Sequence, residues 1–159
     1  MRFRDLCVHS WLHILQSLTI NFKTHHMEII NKSNIATPQR PDGDRVLDAS
    51  LVHLDLNASI AQLQNEVAWK EGDRNSLTLF KSDELRVVLM GLHKGVTVPT
   101  HSAPGMITVQ VLQGHIHFFT GDTKTTLEKG QAIVLHKKLP HSLEALDDTF
   151  VLLTMAISK

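Results

Sequence analysis

Two segments of this 159-residue chain end in a histidine that follows a glycine turn and a short apolar strand. The first runs Gly95–Val96–Thr97–Val98–Pro99–Thr100–His101. The second runs Gly130–Gln131–Ala132–Ile133–Val134–Leu135–His136–Lys137–Lys138–Leu139–Pro140–His141. A neutral imidazole carries one N–H and one nitrogen lone pair, so it can bind a metal or accept a hydrogen bond. Two imidazoles delivered from separate strands can meet inside a small β structure. A metal or ligand site then forms from residues distant in the chain. Ser142 adjoins His141, but neighbouring strand residues face opposite ways, and nothing else in the pattern marks a nucleophile with its base. No Gly-rich phosphate loop occurs. Lys137–Lys138 reads as a solvated turn, and Glu144 and Asp147–Asp148 read as surface.

The elements that must position these histidines are strands. From Asn75 onward, short runs of Val, Ile, Leu, Thr and Phe alternate with Gly, Asp, Lys and Pro. Strands are predicted at Leu77–Lys81, Leu85–Leu92, Val96–Pro99, Ile107–Leu112, His115–Phe119, Thr123–Leu127, Ala132–Leu135, His141–Ala145 and Thr149–Ile157. Many short strands separated by turn residues indicate a mainly β sandwich or barrel. Alternation turns Ile107, Val109 and Val111 inward, with Ile116 and Phe118. His115 and His117 therefore face outward: placing them inside would expose their apolar neighbours. The predicted pocket has Ile107, Val109, Ile133 and Leu152 at its base. His101, His141 and Ser142 give it polar direction, and Gly105 lets backbone approach a ligand.

Upstream, Ser50–Leu56 reads as a short strand. Asn57 is a plausible N-cap for a helix over 58–69, where Ile60, Leu63 and Val67 recur at helical spacing. Trp69 reads as the packing anchor of that helix. Residues 31–47 are rich in turn formers, and 27–49 is read as a linker ahead of a 50–74 unit that packs on the 75–157 barrel. Residues 1–26 hold Arg2, Arg4 and an apolar run interrupted by His9, His13 and Gln16. That run is too polar and too short for a membrane span and lacks a cleavage pattern. Two readings stand: an extension upstream of a start at Met27, or a loosely packed amphipathic helix.

Hydrophobic residues make up 42% of the chain, which allows a packed core, and the length fits one domain. The formal net charge of +0 gives no electrostatic case for nucleic acid or an anionic membrane. Cys7 is the one cysteine, which excludes an internal disulfide and a cysteine-rich zinc site and agrees with a reducing, cytoplasmic setting.

Over roughly residues 75–157 the sequence resembles the cupin superfamily, small antiparallel jelly-roll barrels. The family's first motif is Gly, five residues, His, one residue, His, three or four residues, Glu, six residues, Gly. Gly95, His101 and Gly114 match it, while Ala103 and Ile107 stand at its second His and its Glu. The second motif, Gly, five residues, Pro, one, Gly, two, His, three, Asn, is matched by Gly130 and His141. His136, Lys138 and Ala145 replace its Pro, Gly and Asn. Val109–Gln110–Val111–Leu112–Gln113–Gly114 and Leu139–Pro140–His141–Ser142–Leu143–Glu144–Ala145 look like phrases of small single-domain bacterial cupins.

The resemblance implies a mainly β jelly roll with one N-terminal helix, and a homodimer using the outward apolar residues of Leu85–Leu92. A metal-binding cupin is similar to a three-histidine, one-glutamate site. This chain keeps His101 and His141 of those four donors. Two functions follow as expectations. One is a small-molecule-binding protein holding an anionic or carbonyl-bearing metabolite against the two histidines. The other is a metal-dependent enzyme of dioxygenase, isomerase or decarboxylase type, whose iron, zinc, manganese, nickel or copper is held by His101, His141 and donors from elsewhere.

Overall fold

A computed structural model describes residues 32–34 and 45–157, and within them the chain is mainly antiparallel β. The strands are β1 (Lys32–Asn34), β2 (Arg45–Asp48), β3 (Arg74–Lys81), β4 (Leu85–Leu92), β5 (Thr97–His101), β6 (Met106–Gln113), β7 (His115–Thr120), β8 (Thr123–Glu128), β9 (Ala132–Leu135), β10 (His141–Ala145) and β11 (Thr149–Ala156). One sheet has the order β5-β10-β7-β8 and the other β3-β4-β11-β6-β9, with β1 and β2 forming a separate pair. From β4 to β7 and from β8 to β11 successive strands alternate between the two larger sheets, as in a jelly roll, while β3–β4 and β7–β8 are hairpins within one sheet. The reading of 1–26, including the start at Met27, lies outside the described residues. Within the stretch read as linker, β1 and β2 pair antiparallel.

Two cores follow from the alternation. Between the sheets lie Ile107, Val109 and Val111 of β6, Ile116 and Phe118 of β7, Leu143 of β10 and Val151 of β11. On the other face of the five-stranded sheet, Leu77, Leu79, Val87, Leu89 and Phe150 meet Ile60, Leu63 and Trp69 of the helices. Central strands β4 and β11 are therefore covered on both faces. That explains their near-continuous apolar runs, where a half-buried strand would alternate. It also corrects the expectation for Leu85–Leu92: Val87 and Leu89 are buried beneath the chain's own helices, not offered as a surface for a second copy.

The helical segment begins two residues earlier than predicted and breaks once. Asp55, not Asn57, is the N-cap: its Oδ1 accepts from Ala58 N at 2.9 Å, so α1 runs Leu56–Asn65. Glu66 is extended (φ −73°, ψ 148°), and α2 (Val67–Glu71) follows as a separate turn. Buried Asn75 holds this junction. Its Nδ2 donates to Leu63 O at 3.4 Å and to Glu66 Oε2 at 2.8 Å. The strand expected over Ser50–Leu56 is absent: residues 51–55 carry no ladder, and Leu54 and Leu56 pack beneath the helices.

His93, just beyond β4, ties the helices to the sheets. Its ring lies 3.8 Å from that of Trp69, centroid to centroid. Its Nε2 faces the Trp69 carbonyl oxygen at 2.9 Å and its Nδ1 faces Asp148 Oδ1 at 3.1 Å. Both partners can only accept, so the doubly protonated ring fits best. The bond to the Trp69 carbonyl, then Asp148 and Asp73, raise its pKa above the ordinary imidazole value. A raised folded-state pKa means that this stabilisation is complete below the unfolded value of about 6.5 and is lost as pH rises through the higher folded value. The difference in unfolding free energy between wild type and His93→Gln is therefore expected to be larger at pH 6 than at pH 9 in denaturant titrations. An equal difference at both would show that His93 holds no extra proton.

Candidate functional site

His101 and His141 are brought together by strand pairing. β5 and β10 are antiparallel neighbours, and in their register His141 stands opposite His101. The ring centroids are 4.4 Å apart at 56°. Along β10 the inward set is regular, with His141, Leu143 and Ala145 buried and Ser142 and Glu144 less so. Along β5 it is not regular. Val98 and His101 both line the cavity, although residues three apart in a regular strand face opposite ways. The register shifts between the Leu143↔Val98 and His141↔His101 pairs, so β5 carries one extra residue there. This bulge turns His101 inward. Pro99 sits in the bulged stretch on an edge strand, where its missing N–H breaks no ladder.

The ring tautomers follow from the neighbours. His101 Nδ1 lies 2.8 Å from Pro99 O, and His141 Nδ1 lies 2.9 Å from Leu139 O. A carbonyl oxygen only accepts, so each Nδ1 carries a proton, and in the neutral ring each Nε2 carries the lone pair. Neither Nε2 has a hydrogen-bond partner among the described residues. His141 is 5% exposed and stacks at 15° on Phe118, with centroids 5.6 Å apart. His101 is at the open end of the site, beside Ser102 and Pro104.

The cavity between the sheets has a volume of about 210 Å³ and is mostly apolar. Of the residues expected to line it, Ile107, Val109, His101 and His141 do. Ile133 packs against the inter-sheet core without lining the cavity, and Leu152 belongs to the helix-side core, since β11 turns Val151, Leu153 and Met155 inward instead. Ser142 also falls outside the lining, because it alternates with His141; the hydroxyl at the site is that of Ser102. Gly105 serves the protein, not a ligand: a Cβ there would collide with the Ala156 carbonyl oxygen of β11. Met90, Val98, Phe118 and Leu143 complete walls that the motif reading did not assign. The period-two pattern of β7 and β10 already carried the signal for Phe118 and Leu143.

Among the described residues the other histidines stay apart from the site. His115 is exposed and its Nδ1 pairs with Asp147 Oδ2 at 2.8 Å, an interaction that lowers the pKa of Asp147. His117 bonds Thr126 Oγ1 at 3.0 Å on the outer face. His93 belongs to the helix junction, and His136 is exposed.

A three-histidine, one-glutamate metal site does not fit these residues. Ala103 and Ile107 line the cavity where donors would stand, and the described residues contain no group of three or more His, Cys, Asp or Glu able to hold a metal. A tight divalent site normally uses three or four protein donors, and two imidazoles fall short of that.

Two glycine positions of the motifs have separate outcomes. Gly114 has φ +82°, and a Cβ there would strike Thr149 Oγ1 and Asp147, so glycine is required at the corner between β6 and β7. At the other position stands Lys138, with φ 65°, in the left-handed region. Its N–H donates to Ala103 O at 2.8 Å and ties the β9–β10 loop to the cavity mouth. Relief of the left-handed penalty outweighs the added freedom of the unfolded chain. Lys138→Gly is therefore expected to raise the unfolding free energy by about 0.5–1 kcal/mol, and Lys138→Val to lower it. Chemical denaturation measures both, and destabilisation by glycine would overturn the strain argument.

No family model matches the chain, and no curated protein matches it. Solved structures do. A conserved protein of unknown function from Streptococcus pyogenes is 29% identical, with TM-score 0.53 over 56% of this chain and 79% of that one. A cupin superfamily protein from Desulfitobacterium hafniense DCB-2 is 18% identical, with TM-score 0.54 over 80% of this chain and 99% of that one. A cupin 2 conserved barrel domain protein from Leptotrichia buccalis is 30% identical, with TM-score 0.51 over 55% of this chain and 42% of that one. Among the described residues no helix is long and apolar enough to cross a membrane.

Proposed function

We propose that this chain, which shares the fold of cupin superfamily proteins, is a small-molecule-binding protein whose ligand sits between the sheets against His101 and His141. One observation carries the reading. Two imidazoles, one of them almost fully buried, line an apolar cavity of about 210 Å³, and neither Nε2 has a hydrogen-bond partner among the described residues. A ligand that hydrogen-bonds a ring nitrogen left without a protein partner gains net free energy. A concave, mostly apolar site with a few convergent polar groups is the usual form of a small-molecule pocket. The alternative of a metal-dependent enzyme requires a donor set that these residues do not supply.

A thermal-shift screen of metabolites against wild type, His101→Ala and His141→Ala tests the proposal. Ligands that raise the melting temperature of the wild type are expected to lose most of that shift in both variants. Shifts that survive both substitutions would place the ligand elsewhere and refute the assignment.

A further inference from the structure

The polarity of the cavity selects among ligands more sharply than its size does. In the neutral rings both free ring atoms are acceptors, because each Nδ1 proton is held by a backbone carbonyl. The lining contains no Lys, Arg, Asp or Glu. A carboxylate or a carbonyl oxygen brought to the imidazoles would set lone pair against lone pair, and an anion would meet no compensating charge. An O–H or N–H donor instead satisfies an Nε2 directly.

We infer that the cavity selects neutral, compact molecules with one apolar body and a hydroxyl or amino head that donates to Nε2 of His101 or His141. This replaces the expectation of an anionic or carbonyl-bearing ligand, and it rests on the reading of the cavity as a ligand site. Size sets the rest. An apolar cavity of about 150 Å³ already holds benzene, so about 210 Å³ suits a single six-membered ring with one or two small substituents. The Phe118–His141 stack supplies a flat wall for such a ring.

Toluene, phenol and benzoate separate the body from the head. Calorimetric or NMR titration of the full chain at about pH 8, above the ordinary imidazole range, is expected to rank phenol first. Toluene should bind about tenfold more weakly, the ratio one net hydrogen bond supplies near its upper range. Benzoate should be weaker than phenol by at least about as much. Histidine side-chain ¹⁵N spectra should show the Nε2 signals of His101 and His141 moving with phenol and not with toluene. His141→Ala risks the fold because its ring is buried, so the exposed His101→Ala and the conservative His141→Gln serve as variants. At least one should narrow the phenol-to-toluene ratio, which the ¹⁵N shift of the remaining histidine cross-checks.

Equal binding of phenol and toluene, or benzoate binding as well as phenol, would overturn the donor-head inference and leave the cavity as a ligand site. Phenol selectivity unchanged in both variants would overturn it too. Failure of all three probes to bind, with no ¹⁵N shift, would refute the inference and the pocket together.

Discussion

Ala103→His combined with Ile107→Glu is expected to convert this chain into a divalent-metal binder. Both positions line the same cavity as His101 and His141, and both stand where the family motif carries donors. The double variant would place three imidazoles and one carboxylate around one space, against the two imidazoles of the natural chain. Zinc or cobalt affinity should rise by at least about 100-fold, since even the loss of a supporting contact around such ligands commonly costs 10- to 100-fold. Without metal the variant should be less stable than wild type by about 2–4 kcal/mol, because Ile107 is 3% exposed and a carboxylate there loses its water. Added metal supplies the missing charge, so the melting temperature of the double variant should climb with zinc while that of wild type stays nearly level. The visible spectrum of cobalt reports coordination independently. A double variant whose stability and spectrum ignore both metals would show that the four positions do not converge.

Phe150→Ala should give the largest loss of stability among single core substitutions. The ring is 1% exposed on β11, a strand hydrogen-bonded on both sides, and its centroid is 5.0 Å from that of Trp69. Truncation removes a large apolar surface and leaves a hole bounded by a sheet that cannot collapse into it, at a cost of about 3–5 kcal/mol. For a chain of this length that lowers the melting temperature by roughly 6–20 °C, which calorimetry resolves. The site should survive at temperatures where the variant is folded, because Phe150 and the cavity residue Val151 face opposite sides of the sheet. A loss below about 1 kcal/mol would mean that the helix-side core is loosely packed.

How far the site was readable from residues alone depends on regularity. Where a strand keeps its period of two, alternation transfers directly: His141 faces inward and His115 and His117 lie on the outer face of β7, and the same alternation turns Ser142, expected in the pocket, away from it. Where the strand breaks its period, alternation does not place the side chain, and it was the motif position that put His101 at the site. The extra residue in β5 turns His101 inward, and nothing in Val98–Pro99–Thr100–His101 fixes that register without β10 beside it. Leu152 was misplaced for a related reason. β11 is apolar on both faces, so its composition does not say which face meets the cavity and which meets Trp69. The helix start was misread because Asp55 and Asn57 are both capable caps, and reach to the Ala58 amide decided between them.

By itself the sequence determined the class of the fold, the order of its strands, and the two histidines retained where the usual third histidine and glutamate are absent. These are properties of local pattern, which short-range sterics and burial impose on the chain. Tertiary structure alone decided that the two rings face each other, which nitrogen each leaves free, and which apolar residues wall the cavity. Those outcomes depend on strand register and on backbone carbonyls contributed by the loop and bulge beside each ring, and pairing between distant segments creates both.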